Sequence, residues 1–585
     1  MRSDCHFIKM YRIWLFTLLL TLCPGVGLAQ QVELRLAGDY PGLQDNAEAF
    51  VGEVEGHSAD NLRRYAPTVM KQVGEALRAL GYYRPHMSWQ LEEDDDADEP
   101  PRLVLDIEPG EPVRVTNRTV EIRGAASEDA EFMSALPEHP ALGEILDHGL
   151  YSSLRDAIQA SARRRGYFDG QFITHTLQVD PEAGTAEIIL VYDSGERYRL
   201  GEITFSEDHW FDIDLLKNYV TFEPGTPYHA DKVAGLNRNL NNSGYFSGVD
   251  VDASPIRAVD GVIPVRVSLT RRARRSVSAG VGFSTDVGPR FRGSWREHWT
   301  NAMGHTRGVD TELSQPRQNL STWYELPLDP PMTDSIRLTG GYQKEEIESI
   351  ESDLITLGQQ WQHQLDNGWV QVLSLRWEGE RYNIGDDDQG RSTLLLPGLS
   401  YSRRRVDSSL DPASGYTLQF DMSGSHRAVL SDVDILRINA QAKGLITLAD
   451  NHRFLARLQL GGIATNRFDD VPPSLRFFSG GDQSVRGYAY ETLSPENDDG
   501  DAEGGRYLLV GSGEYQYQFA DRWRAAVFVD HGNAVNDLFD PLATGVGMGL
   551  RWISPVGSLR LDVARGLNED LGGGWRIHLS MGPEL

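Results

Sequence analysis

The residues best suited to a specific chemistry in this sequence are an arginine in a loop and an aspartate on a strand. Arg486, in the sequence Arg-Gly-Tyr, lies in an insertion at residues 469–503 that has no strand pattern. The alternation of residues 523–530 turns Phe528 and Asp530 to the face opposite the apolar residues. A guanidinium can hold a carboxylate through paired hydrogen bonds and can stack on an aromatic ring. Such chemistry joins two segments, although an Arg-Gly-Tyr by itself is most often a solvated turn.

Motifs of the common catalytic sites are missing from the sequence. It has no G-x-S-x-G nucleophile elbow, no G-x-x-x-x-G-K-[ST] phosphate loop and no H-E-x-x-H zinc helix. The 15 histidines show no metal-ligand spacing, and the two cysteines, Cys5 and Cys23, both lie among the first 29 residues. We therefore predict no enzyme, no metal site and no cofactor. A hydrolase built from dispersed residues would escape this search.

The first 29 residues predict a secretory signal peptide. Basic residues precede a short apolar run at residues 13–22, and small residues ending at Ala29 offer a cleavage site. We expect the mature chain to begin near Gln30 and to contain no thiol. After the signal, no run approaches the roughly 18 to 20 apolar residues that a membrane-spanning helix needs.

The charge pattern excludes one class of partner. A formal net charge of −29 argues against nucleic acid, because phosphate binding needs a basic surface. The acidic run at residues 92–99 predicts a solvated loop. A basic cluster near residue 272 either binds phospholipid headgroups or snorkels at a membrane boundary, and both interpretations stay open. Its members are Arg271, Arg272, Arg274 and Arg275.

The N-terminal half contains an internal repeat. A glycine followed by two aromatic residues recurs at Gly81, Gly166 and Gly244. An amphipathic helix precedes each glycine, two strand candidates follow it, and a further strand and helix open each unit. The element order is therefore β-α-α-β-β. The three units are predicted at residues 30–112, 113–198 and 199–272.

The rest of the chain, residues 273–585, consists of successive strand candidates. Apolar residues alternate with small or polar ones at residues 276–284 and 575–581, which suits a lipid-facing and a lumen-facing side. Strands of about ten residues plus turns predict about sixteen strands, an even number as bacterial barrels require. The predicted fold class is mixed: three α+β domains followed by a sixteen-stranded antiparallel transmembrane β-barrel.

These features together resemble a known family. The three units are similar to POTRA domains in length, element order and the glycine-aromatic turn. Residues 485–488, Val-Arg-Gly-Tyr, resemble the [VI]-R-G-[FY] motif in the sixth extracellular loop of the POTRA-barrel outer-membrane assembly superfamily. Three POTRA units before one barrel are most similar to its TamA group, the outer-membrane subunits of translocation and assembly modules.

The resemblance implies a lock between that loop and the barrel lumen. In the superfamily the loop folds back into the lumen, and its arginine meets a Phe-x-Asp-x-Gly motif, which residues 528–532 match. We expect Arg486 to face the ring of Phe528 and to pair with Asp530. The predicted lock residues are Arg486, Gly487, Tyr488, Phe528, Asp530 and Gly532.

The C-terminal end predicts a weak seam between the first and last barrel strands. Pro583 cannot donate a ladder hydrogen bond, so the last strand should pair poorly at its end. An unpaired edge is a template for another strand, so we expect an opened seam to accept incoming β-structure. The predicted seam residues are Val277, Ala279, Val281, Ile577, Leu579 and Pro583. We expect Val277 and Leu579 to be close enough for cysteines at these two positions to lock the seam by a disulfide.

Function and partners are implied by the resemblance. It implies a bacterial outer-membrane component, with POTRA domains in the periplasm, that inserts or secretes β-barrel or autotransporter-type proteins and also serves phospholipid transport. It further implies a TamB-like inner-membrane-anchored partner, outer-membrane protein clients and contact with membrane lipids. The alternative is a dedicated two-partner-type secretion pore for one passenger protein. A passive diffusion porin would have no reason to carry the three repeated units before the barrel, which together form the predicted periplasmic arm.

Overall fold

The structure is a computed structural model that describes residues 31–581, except residues 39, 41, 53, 55–56, 94–99, 348, 386–387, 498–499 and 555–556. The predicted signal peptide and the seam residue Pro583 lie outside the described residues. Three small three-stranded sheets with helices precede one 16-stranded sheet in the described part, so the predicted fold class is confirmed. Contacts divide the chain into two compact units. One contains the first two small domains, and the other contains most of the third small domain and the barrel.

The small domains share the predicted order of elements. The first contains β1 (Val32–Leu36), α1 (Leu43–Val51), α2 (Ala59–Ala79), β2 (His86–Glu92) and β3 (Arg102–Glu108). The second contains β4 (Arg114–Arg123), α3 (Ala130–Ser134), α4 (His148–Arg165), β5 (Gln171–Asp180) and β6 (Thr185–Asp193). The third contains β7 (Arg199–Phe205), α5 (Ile213–Lys217), α6 (Ala230–Asn242), β8 (Phe246–Asp252) and β9 (Val262–Arg271).

In each small sheet the last strand is central. β3 pairs with β1 in parallel and with β2 in antiparallel orientation, and β6 pairs with β4 and β5 in the same two ways. The third sheet has the order β7-β9-β8. Helices pack on the sheets through apolar residues spaced three or four apart. On α2 these are the fully buried Leu62, Ala66, Val69, Val73 and Leu77.

Backbone geometry explains the repeated glycine. Gly81, Gly166 and Gly244 have φ angles of 91°, 89° and 79°, a left-handed conformation that residues with a Cβ rarely adopt. Each follows the longer helix of its domain, and Gly166 caps α4 by donating its N–H to the carbonyl of Ala162. The chain reverses there and sends the next aromatic side chain inward. Those tyrosines, each at most 8% exposed, are Tyr82, Tyr167 and Tyr245.

A buried ion cluster stabilises the second domain. Asp129 accepts a hydrogen bond from the N–H of Phe132 at 3.2 Å, and Arg165 at the end of α4 donates to both of its oxygens at 2.7 Å. Tyr167 and Arg197 also donate to it, at 2.9 and 3.3 Å. Burial by itself would raise the pKa of Asp129, but these hydrogen bonds, led by that of Arg165, outweigh burial and lower the pKa.

We expect Asp129→Asn to destabilise the second domain by about 2 kcal/mol, because hydrogen bonds to charged groups contribute roughly 1.5 to 3 kcal/mol. A lowered pKa in the folded state means that this stabilisation is present near neutral pH. It is lost as the pH falls through the ordinary aspartate range and below the folded-state pKa. Hydrogen exchange of the α4 amides in the full-length protein should therefore differ between wild type and variant at neutral pH and converge in acid.

Glu131→Gln is the matched control. Glu131 also binds Arg165, but its side chain is 78% exposed, so its loss should cost much less. Equal loss of α4 protection in the two variants would contradict a special role for the buried carboxylate.

The barrel strands follow one another around the sheet, each antiparallel to the next. Their bounds are β10 Arg275–Ser284, β11 Gly288–Glu297, β12 Thr306–Leu313, β13 Arg317–Pro327, β14 Asp334–Ile347, β15 Ile350–Gln364, β16 Val370–Ile384, β17 Asp388–Val406, β18 Ser414–Ser425, β19 Ile435–Leu448, β20 His452–Thr465, β21 Tyr507–Ala520, β22 Trp523–Val535, β23 Ala543–Ser554, β24 Gly557–Gly566 and β25 Trp575–Met581.

Side chains of the barrel alternate between its two faces. In β22, Val527 and Val529 are 53% and 50% exposed, whereas Phe528 and Asp530 are 6% and 0% exposed. Between β20 and β21 the chain forms a loop at residues 466–506, a few residues longer than the predicted insertion. In the described part of the chain, no helix is both long and apolar enough to span a membrane.

Candidate functional site

Glycines on the strand next to β22 make room for the long loop inside the barrel. Phe528 lies opposite Gly547 of β23, and Asp530 lies opposite Gly545. A side chain at Gly545 would collide with the backbone of Arg486, and one at Gly547 would collide with the Phe528 ring. The absence of side chains at these two glycines therefore lets the loop lie directly against the inner wall.

Three carboxylates and one aromatic ring surround Arg486. Its Nε and Nη2 donate to Asp530 at 2.7 and 3.0 Å, and its backbone N–H donates to the same carboxylate at 3.1 Å. Its Nη1 donates to Glu514 at 2.8 Å and to Asp562 at 3.2 Å. The guanidinium carbon lies 3.3 Å from the centre of the Phe528 ring. All five residues are at most 7% exposed, so removing one partner would leave a buried charge uncompensated.

Two further arginines neutralise the cluster. Arg551 donates to Glu514 at 2.8 Å and to Asp562 at 2.5 Å, and Arg457 lies 3.5 Å from Asp530. Together with the arginine of the loop, three guanidinium groups face three carboxylates. Sequence reasoning missed the additional residues because they lie on different strands. The sequence did contain one signal for them, because the alternation of each strand shows that their side chains face the lumen.

The two residues after the arginine attach the loop to the last strands. Gly487 has a φ of 94°, and a side chain there would collide with the backbone of Gly566 at the end of β24. Its N–H donates to Nε2 of His578 in β25 at 3.1 Å. Tyr488 is fully buried, and its hydroxyl accepts from the N–H of Asn568 at 3.1 Å. The loop thus contacts the inner wall as far as the last strand.

The same loop also reaches the first hairpin. The N–H of Asp482 donates to Asp286, in the turn between β10 and β11, at 2.6 Å. The other oxygen of Asp286 lies 3.4 Å from Nδ1 of His578. The loop therefore contacts both sides of the junction between β10 and β25, through residues that the sequence analysis did not single out.

In the described residues, β10 and β25 form no ladder and meet only near one end. The N–H of Thr285 donates to the carbonyl of Leu579 at 3.2 Å, and the N–H of Leu579 donates to Oγ1 of Thr285 at 3.2 Å. Leu579 is therefore opposite Thr285 rather than opposite Val277. Residues 275–281 are exposed on both faces, and Val281 is 88% exposed.

The other predicted residues are dispersed around this region. Ala279 is an exposed residue of β10, and Ile577 of β25 is 63% exposed. Gly532 follows the lock aspartate on β22, where a side chain would collide with the backbone of Val510 in β21. Among the residues that the structure describes, no group of three or more His, Cys, Asp or Glu side chains is arranged to hold a metal ion.

Family models match most of the chain. Residues 272–584 match the Omp85 superfamily domain, residues 33–109 match a POTRA domain described as TamA domain 1, and residues 198–270 match a POTRA model described as surface antigen variable number repeat. Since the first match covers more than half of the chain, the chain belongs to the Omp85 superfamily. The predicted membership of the POTRA-barrel superfamily is thereby confirmed, and the chain is an outer-membrane β-barrel protein.

Individual relatives are distant. The outer membrane protein assembly factor BamA of Nitratidesulfovibrio vulgaris is 24% identical over 379 residues, which are 61% of this chain and 48% of that protein. BamA of Neorickettsia risticii is 23% identical over 447 residues, 68% of this chain and 57% of that protein. The crystal structure of Haemophilus ducreyi BamA lacking POTRA domains 1–3 has a TM-score of 0.67 at 16% identity, covering 80% of this chain and 100% of its own. The chain spans about half the length of the curated relatives it matches.

We expect Arg486→Ala to destabilise the barrel by roughly 3 to 5 kcal/mol, because it leaves buried carboxylates without their cation. Thermal unfolding followed by the mobility of the folded barrel on gels measures the loss. Asp530→Ala should have a comparable effect, and the double variant should lose much less than the sum, since both substitutions break one interaction.

Arg467→Ala is the control within the same loop, because Arg467 is 64% exposed and its ion pair with Asp470 lies at the surface. Additive losses for Arg486→Ala and Asp530→Ala, or a loss for Arg467→Ala as large as theirs, would argue against a specific lock.

Proposed function

We propose that this chain is the outer-membrane component of a translocation and assembly machine. In this role it inserts or secretes β-barrel or autotransporter-type proteins through the junction between β10 and β25, and it has no catalytic activity. The observation that carries the proposal is the junction itself: its described residues form no ladder, yet the long loop contacts both sides.

An unpaired strand edge supports this mechanism. Among the described residues, the backbone N–H and C=O groups of β10, which precedes Thr285 in the chain, form no ladder with β25. They can therefore pair with an incoming strand. Few hydrogen bonds need to break before the junction opens. An incoming strand that pairs there is next to the lipid and can leave sideways.

The loop would keep its position while the junction opens. Its buried cluster ties it to β21–β24, whereas its contact with the first hairpin includes the single hydrogen bond from Asp482 to Asp286. Breaking this one hydrogen bond is less costly than breaking a buried cluster of three carboxylates and three guanidinium groups. Opening therefore moves the first hairpin away from a fixed loop and last strand.

The domains before the barrel supply the partner surface. We propose that they lie in the periplasm and bind a TamB-like inner-membrane-anchored protein. The match of residues 33–109 to a TamA POTRA domain supports this partner. β2, β5 and β8 are edge strands of their sheets, and an extended segment can add to such an edge. Phospholipid transport through the same machine is part of the proposal.

We expect a disulfide across the junction to abolish client assembly. Because Leu579 is opposite Thr285, the adjacent residues Ser284 and Ser580 face each other, and both line one cavity inside the barrel. Ser284→Cys with Ser580→Cys should form this disulfide, and reduction should restore activity. Insertion of barrel clients by the reconstituted protein is the measurement.

The control is a cross-link within a permanent hairpin. Ser278 and Ser294 are opposite each other on β10 and β11 with their hydroxyl oxygens 2.7 Å apart, so Ser278→Cys with Ser294→Cys should cross-link without loss of activity. Full client assembly with the oxidised Ser284→Cys/Ser580→Cys variant would rule out the lateral route. Co-purification of one large secreted passenger, in place of a TamB-like partner, would favour a dedicated secretion pore.

A further inference from the structure

We propose that the end of the barrel next to the third POTRA domain carries a binding site for one anionic phospholipid. This end, the arm-side rim, includes the start of β10 and the turn between β11 and β12. The hydroxyl of Tyr245 in the third domain donates to the carbonyl of Gly304 in that turn at 2.7 Å, and the N–H of Asp212 donates to the carbonyl of Ala302 at 3.0 Å. The rim is therefore attached to the third domain.

The first part of the site is a cluster with surplus positive charge. The fully buried carboxylate of Glu297, at the end of β11, is contacted by Arg274 at 2.7 Å, Arg275 at 3.4 Å and Arg307 at 2.5 Å. One carboxylate neutralises one guanidinium, so two positive charges remain. The three arginines are 45%, 60% and 46% exposed, which leaves their remaining N–H groups accessible to an anion.

Tryptophans flank the cluster. Arg307 lies over the ring of Trp295 at 5.8 Å, and Arg274 lies over the ring of Trp299 at 5.2 Å. The ring of Trp210 from the third domain lies 4.7 Å from that of Trp299. Tryptophan is enriched at the level of lipid headgroups because its ring is apolar and its N–H is polar. The cluster is therefore at the depth where a phosphate would lie.

The second part of the site is an apolar groove on the outer wall. A groove of about 620 Å³ begins at Arg307 and Trp295 and continues past Val309, Leu338 and Leu357. These residues share the face of the exposed Val277 in the strand register, so the groove faces lipid. The groove exists because the small residues Gly308, Thr322 and Gly340 leave space between the larger side chains of the wall. Such a groove accepts an acyl chain.

A phospholipid fits both parts at once. The two surplus charges complement a headgroup that is itself anionic, as in phosphatidylglycerol, better than a zwitterionic headgroup whose ammonium cancels its phosphate. The occupant is a lipid of the leaflet on the side of the arm. Since Arg274 and Arg275 adjoin the first residues of β10, the bound lipid would hold the base of the strand that forms the open edge.

The test is a titration of the full-length protein in detergent with dioleoyl phosphatidylglycerol, followed by native mass spectrometry. We expect one molecule of dioleoyl phosphatidylglycerol to bind each protein, and to bind more tightly than dioleoyl phosphatidylcholine. Arg275→Gln with Arg307→Gln should weaken binding by about 25-fold, from roughly fivefold per arginine near an anionic headgroup. The gel mobility of the folded barrel verifies that the variant is folded.

A matched control and a second variant separate the two parts. Arg403→Gln with Arg405→Gln removes the same charge from β17 at the same end of the barrel and should leave binding unchanged. Gly340 lines the groove, and a Cβ there would make ordinary contacts of 3.5 and 3.6 Å, so Gly340→Leu should fill the groove without disturbing the strands. This variant should weaken binding of dioleoyl phosphatidylglycerol. It should not weaken binding of dihexanoyl phosphatidylglycerol, whose short acyl chains do not need the groove.

Three results would overturn the proposal. Equal weakening by the β17 control would mean general electrostatic attraction. Inorganic phosphate that competes as well as the lipid at equal concentration would mean an ion site only. Association of two copies of the chain that is lost with Arg275→Gln/Arg307→Gln would mean a protein interface instead.

Discussion

The burial of Arg486 inside the barrel is the interaction on which the rest of the structure depends. A guanidinium away from water must have its charge balanced, and here Asp530, Glu514 and Asp562 supply that balance from three different strands. Each carboxylate in turn requires its strand to be in register. The arginine therefore links the position of one loop to the pairing of β21 through β24, and a shift of any of these strands would leave a charge unpaired.

This cluster and the junction of β10 with β25 have opposite physical characters. The cluster is buried and charge-balanced, whereas the described residues of the junction share two hydrogen bonds, both between Thr285 and Leu579. Because the loop contacts both regions, it has many buried ionic contacts on one side and few hydrogen bonds on the other. In the proposed mechanism, this edge of the sheet opens while the rest of the barrel keeps its register.

The third POTRA domain and the arm-side rim add a second constraint on the same edge. Tyr245 and Asp212 bond to the turn that follows β11, and the arginines around Glu297 lie where β10 begins. The start of the exposed strand is thus held by charge and by the attached domain, and its far end is held by the loop. Between these two points, β10 has no ladder with β25 in the described part of the chain, as the proposed lateral route requires.

The sequence by itself determined the features that depend on local periodicity. Alternation showed that Phe528 and Asp530 face the lumen, and the recurring glycines marked the left-handed turns of three similar domains, because both patterns are properties of the backbone. The family motif led to Arg486 and to its pairing with Asp530, which the structure brings to 2.7 Å.

Only the tertiary structure decided which distant residues meet. Glu514, Arg551 and Asp562 join the arginine because of the stagger between strands, and no local pattern encodes that stagger. The same stagger brings Thr285, rather than Val277, opposite Leu579. Alternation in the sequence shows which way a side chain faces, but closure of the whole sheet determines what it meets there.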